Sequence, residues 1–187
     1  MLFPTPAHTL VAAADALQHN QPQEALKMVD HMLSTQPTTH VTALLGMRGV
    51  ICTELDDHVG ARAAFRKALK QHDNEGTATS LRYAQTLNLL AAALDTEDIF
   101  QARQYHERAL AIYTNQRAVV LTKKTYALDY IATLLILGVV AEQTQHWLAA
   151  NHYYAQAHCA CTDLPLSLTH RFWCLVTDGQ ERVGTKL

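Results

Sequence analysis

Apolar and alanine positions recur three or four residues apart along nearly the whole chain, the spacing of one helix face rather than the alternation of a strand. The pattern is interrupted near Asn20–Pro22, Gln36–Thr39, Asp56–His58, His72–Thr77, Asp95–Asp98, Asn115–Gln116, Thr144–His146 and Asp163–Pro165. These breaks predict about nine helices joined by short turns. Seven glycines and five prolines are few for an all-β chain. Pro22 and Pro165 suit a first helical turn, where a missing N–H leaves nothing unbonded. Thr96 and Asp98 suit the N-cap of "IFQARQYHERALAIY". The longest predicted helix is "LTKKTYALDYIATLLILGVVAEQTQ".

Every second helix repeats a pattern of its own. Ala25-x3-Val29-x2-Met32 aligns with Ala61-x3-Phe65-x2-Ala68, Ala102-x3-His106-x2-Ala109 and Ala150-x3-Tyr154-x2-Ala157. The preceding helices align as well: Gly49 stands twelve residues before Ala61, and Gly138 twelve before Ala150. Close packing explains the pattern, because a small residue lets two antiparallel helices approach and an aromatic fills the gap beyond.

"LLGMRGVICTELDDHVGARAAFRKAL" and "LLILGVVAEQTQHWLAANHYYAQA" carry a pattern that resembles the tetratricopeptide repeat, over roughly residues 6–161. Pro37 falls where that family often ends a repeat. Arg48 replaces a typical Leu, His106 replaces an aromatic or apolar residue, and the repeats exceed the usual length of about 34. Longer repeats of this kind look like those of kinesin light chains and of the sensor arms of some bacterial transcription regulators. The resemblance implies an all-α, right-handed superhelix of about four antiparallel hairpins, a tetratricopeptide-like α-solenoid. The whole of 1–187 forms a single domain on this reading, with repeats at 6–39, 40–75, 77–116 and 118–161. Residues 164–187 supply a capping helix and tail, which a stacked array needs.

Composition narrows the function classes. The chain has 187 residues, 49% hydrophobic and only 17% charged, with a formal net charge of −2, which argues against a nucleic-acid partner. The apolar run Ile131–Ala141 is too short to cross a bilayer, so no membrane partner is expected. Four cysteines behind a start without a basic leader suggest a reducing compartment, and the expected location is cytoplasmic. No nucleophile elbow, P-loop or dinucleotide fingerprint is present. Cys52 occupies a packing position of the repeat, so neither an enzyme nor a cofactor is expected. His158, Cys161, His170 and Cys174 could face one another as zinc ligands across the turn near Pro165, but they lack a Cys-x2-Cys knuckle. A helix end with small packing residues is the simpler reading.

In the tetratricopeptide family the first helix of each pair lines a concave face that captures peptides or helices. Carried over position by position, that face comprises Leu10, Ala14 and Leu17, then Gly46, Val50, Thr53 and Glu54. It continues with Leu87, Ala91, Leu94 and Asp95, and then Leu135, Val139, Glu142 and Gln143. The expected partner-binding groove is therefore Val50, Glu54, Leu87, Ala91, Leu94, Asp95, Leu135, Val139 and Glu142. An apolar groove with acids at its rim suits an amphipathic segment with basic flanks. The alternative is that four hairpins close on themselves and make these residues core. Lys123, Lys124, Tyr126 and Tyr130 form a second candidate contact patch, on helical turns expected to project beyond the array. The expected function is a non-catalytic adaptor or chaperone-like module that captures a protein or peptide segment. Two alternatives are a regulatory sensor for a small peptide or metabolite, and a self-associating scaffold that forms a homodimer.

Overall fold

The structure, a computed structural model, describes residues 5–35, 40–94 and 98–187. Asp95, Thr96, Glu97, Pro37 and the predicted break at 36–39 lie outside the described residues. Among the described residues there are ten helices and no strand: α1 (Pro6–Gln18), α2 (Pro22–Thr35), α3 (Val41–Glu54), α4 (His58–Asn74), α5 (Leu81–Leu94), α6 (Ile99–Asn115), α7 (Arg117–Thr122), α8 (Lys124–Gln143), α9 (Trp147–Thr162) and α10 (Leu166–Gly184). Pro22 opens α2, and Asp57 caps α4 by accepting the Gly60 N–H at 2.8 Å.

The described helices fall into two compact units. The first comprises Met1–Ala78 with Leu89–Ile99, and the second Thr79–Asn88 with Phe100–Leu187. In the first unit α1 packs on α2 and α3 on α4, and α2 packs on α3. Ala13, Ala16, Ala25, Val29, Met32, Leu44 and Ile51 form its buried core. Arg48, the unexpected charge on α3, is used between helices, since its Nε donates to Asp30 Oδ1 on α2 at 2.7 Å. In the second unit α8 packs on α7, α9 and α10, and α9 packs on α10.

Three hairpin turns share one geometry that glycine did not announce. Asn20, Asp56 and Gln145 have φ of 59°, 57° and 60°. The next N–H in each case donates back to a carbonyl of the helix just ended: Gln21 to Ala16, Asp57 to Cys52 and His146 to Ala141, all at 2.8 Å. This is the left-handed helix stop in which a residue at positive φ closes the last carbonyls. Each such residue stands five positions before a marker alanine, Ala25, Ala61 or Ala150.

The small and aromatic markers meet directly. A Cβ added at Gly49 would lie 2.3 Å from the Phe65 ring, and one at Gly138 would lie 2.8 Å from Tyr154. Gly179 of α10 contributes a second wall to Tyr154, where a Cβ would stand 2.6 Å from the ring. The Tyr154 hydroxyl donates to Glu142 Oε2 at 2.9 Å, and Arg182 grips the same carboxylate through two donors at 2.7 and 3.0 Å. The final helix is therefore fixed to α8 and α9 by one aromatic ring and one forked ion pair.

The long helix expected from Leu121 onward is two helices. Lys123 adopts φ −118° and ψ 110°, an extended conformation that ends α7 and precedes α8. By length and composition α8 could cross a bilayer, but more than half of its most apolar window is buried within the chain, as in a core helix.

Candidate functional site

The expected groove residues separate by burial. Val50 is half-buried and Glu54 exposed on α3, while Val139 on α8 is 40% exposed. Leu87 and Ala91 are 0% exposed, Leu94 4% and Leu135 7%. These four are core rather than groove. The reason on α5 is a register error of one residue. Its small buried residue is Ala91, which stands eleven residues before Ala102, whereas Gly49 and Gly138 stand twelve before their alanines. Counting twelve back selects the buried face, and the positions that open on α5 are Asn88, half-buried, and Ala92, exposed.

On α8 the reason is crowding. With α7, α9 and α10 all packed on it, the part of α8 beyond its first turns keeps a narrow strip that is not fully buried: Asp129, Ala132, Ile136, Val139 and Gln143, at helical spacing of three and four. Leu135 lies off that strip. Glu142 is no free acid either, because Arg182 and Tyr154 occupy it and the Arg182 guanidinium holds its carboxyl below the usual range. In the first repeat Leu10 and Leu17 pack against the core cluster.

The second candidate patch is reduced. Lys123 and Lys124 are exposed, and Lys123 Nζ lies 5.9 Å from the centre of the Tyr126 ring. Tyr130 is 3% exposed, with its ring edge-on to Tyr113 at 6.3 Å, so it belongs to the core. The projecting helical arm that motivated the patch is absent because the chain breaks at Lys123 and α7 packs on α8.

The His and Cys residues near the last turn do not form a cluster. Cys161 is buried, which pushes its thiol up to about 11, and the His158 ring stands edge-on to Trp173 at 4.7 Å. Among the described residues no three His, Cys, Asp or Glu side chains converge as metal ligands would. Cys52 is buried and its thiol is pushed up by that burial, the opposite of what an activated nucleophile needs.

Sequence reasoning missed a polar cluster within the second unit. His106, at the slot filled elsewhere by an aromatic, is 3% exposed and pairs its Nδ1 with Asn88 Oδ1 at 2.9 Å. Asn88 Nδ2 donates to Thr133 Oγ1 at 2.7 Å, and Thr133 donates to the Asp129 carbonyl at 2.6 Å. Gln85 Nε2 donates to the Asp129 carboxylate at 2.5 Å. Burial pushes the Asp129 carboxyl above its ordinary range, against the opposing pull of Gln85. Beneath them Tyr113 is fully buried, and among the described residues its hydroxyl is the one buried side-chain polar atom without a hydrogen-bond partner. Burial first, and then the Asp129 charge, push the Tyr113 hydroxyl far up. The only sequence signal was His106 itself, an imidazole in an apolar slot that needs a partner.

Comparison with known proteins fits this architecture. No curated protein sequence matches the chain closely enough to count as a relative. The crystal structure of BtubC (BKLC) from P. vanneervenii is similar, with a TM-score of 0.74 at 15% identity, over 96% of this chain and 75% of that one. At that identity the likeness is one of fold. Proteins of the tetratricopeptide kind generally bind other proteins or peptides and are generally non-catalytic. Residues 40–115 match the family described as tetratricopeptide repeat.

Proposed function

We propose that this chain is a non-catalytic adaptor or chaperone-like module that captures a segment of another protein along the open strip of α8. The observation that carries this reading is the strip itself. Asp129, Ala132 and Ile136, all half-buried, and exposed Val139 present one acid followed by apolar surface along one face of α8. A strip of that width fits the apolar edge of a peptide or amphipathic helix, with a polar contact at one end. Val50 and Glu54 on α3 offer a comparable opening in the first unit. The low charge and four free cysteines favour a cytoplasmic, cofactor-free role with neither nucleic acid nor membrane as partner.

Val139→Glu is the discriminating variant, since Val139 is exposed enough to accept a charge without unfolding the helix. Leu87→Glu and Leu135→Glu would place a charge in the core and unfold the protein instead. Pull-down from native lysate with wild type and Val139→Glu, both checked for helicity by circular dichroism, should recover one stoichiometric partner only with wild type. An identical partner set from both proteins overturns the assignment to α8.

A further inference from the structure

We propose that Asp129, together with Gln85 and Asn88, forms a subsite for an arginine side chain of the captured segment. The inference rests on the segment-capture reading above and names the chemistry of one end of the α8 strip. Asp129 is a half-buried carboxylate with no basic side chain beside it, and its one polar side-chain partner is the amide of Gln85. The described arginines of the second unit that make contacts are engaged elsewhere: Arg103 with Glu107, Arg108 with Tyr83, Arg117 with Asp163 and Arg182 with Glu142. A carboxylate withdrawn from water without a counter-charge is destabilising unless something else compensates it.

The direction of the hydrogen bonds indicates what is missing. The amide donors of Gln85 and Asn88 both point into the chain, toward Asp129 and Thr133. Asn88 Oδ1 is taken up by His106. The second Asp129 oxygen and Gln85 Oε1 have acceptor capacity that none of these hydrogen bonds uses, and the carboxylate makes that capacity negative in sum. A cation with several N–H donors answers this set, and the planar fork of a guanidinium answers it better than a single ammonium. One carboxylate among neutral amides is too few hard ligands for a divalent metal.

The experiment is a titration of the full chain, labelled with 15N, with N-acetyl-arginine N-methylamide. The side-chain amide signals of Gln85 and Asn88 should shift saturably. The citrulline analogue, equal in shape but uncharged, should bind roughly tenfold more weakly or worse, and the lysine analogue should lie between. Asp129→Asn should abolish the response. In wild type, saturating arginine analogue should move the Asp129 carboxyl titration to lower pH, a readout that stands even if the variant does not fold. Citrulline binding equal to arginine, lysine binding equal to arginine, retained arginine binding in Asp129→Asn, or an unmoved Asp129 titration would each overturn the subsite. The two proposals fail separately. A partner lost by Val139→Glu but held undiminished by Asp129→Asn leaves segment capture standing and removes the arginine subsite. A partner indifferent to Val139→Glu removes the strip, whatever the titration shows.

Discussion

Phe65 and His106 occupy the same slot of the repeat, four residues after a marker alanine, yet the chain fills the slot by opposite means. Phe65 is seated by absence: Gly49 has no Cβ, and the ring uses that space. Tyr154 repeats the arrangement against Gly138 and Gly179. His106 is seated by hydrogen bonding, through Asn88 to Thr133. The first solution is apolar, shape-determined and locally complete. The second brings an imidazole into the interior of the second unit and, one turn along α8 from Thr133, leaves the Asp129 carboxylate half-buried at its edge. Where the repeat is regular it supplies architecture, and where it departs it supplies chemistry.

The sharpest test of the apolar seat uses two glycines of one helix. Gly49→Ala should destabilise the protein by about 1–3 kcal/mol, because the new methyl must displace the Phe65 ring. Gly46→Ala, three residues earlier with nothing within 4 Å, should stabilise it by up to about 1 kcal/mol through helix propensity. Denaturant unfolding of the pair reads both signs, and equal effects would mean that the close approach is unimportant. The polar seat is tested by making it regular. His106→Phe gives the slot the ring that Phe65 and Tyr154 supply elsewhere, yet it should cost about 1–2 kcal/mol, because Asn88 loses its buried partner. A gain in stability would show that the slot prefers a ring after all.

This contrast also explains what the sequence could and could not disclose. Hairpin positions, the glycine–aromatic pairs and the closing helix are encoded in spacing and side-chain size, which a linear pattern preserves. The register of α5 was not legible, because one residue fewer between Ala91 and Ala102 turns the exposed stripe to the next position. Leu87 and Ala91 were consequently assigned to the wrong face. The breaks at Asn20, Asp56 and Gln145 were legible but their left-handed geometry was not, since backbone hydrogen bonding is what reveals positive φ at residues other than glycine. The Asp129 cluster was invisible because its members come from three helices and follow no motif. Its existence depends on which side chains meet, and periodicity does not determine that.

Gln145 makes the turn lesson quantitative. A long side chain at φ 60° is strained where glycine is not, so Gln145→Gly should raise stability by about 0.5–1 kcal/mol. The gain should be smaller at Asn20, a residue that tolerates this region better. Thermal unfolding of the two variants measures the difference, and a loss at Gln145 would mean that its side chain is needed.

The smallest effect compares two carboxylates on one helix. Glu142 is held below its ordinary range by Arg182, so it adds stability that is present above the unfolded value of about 4 and lost as pH falls through its lower folded value. Asp129 is shifted the other way by burial, so its contribution is present below about 4 and lost as pH rises through its higher folded value. Removing each charge should therefore bend the stability–pH curve in opposite directions. Glu142→Gln should flatten the rise in stability that wild type shows just below the unfolded value. Asp129→Asn should remove a decline just above it and leave the variant at least as stable as wild type near neutrality. Urea unfolding from pH 3 to 7 on the two variants decides the matter. A Glu142-like response from Asp129→Asn would mean that Asp129 is compensated within the chain, and that the polar end of the α8 strip already has its counter-charge.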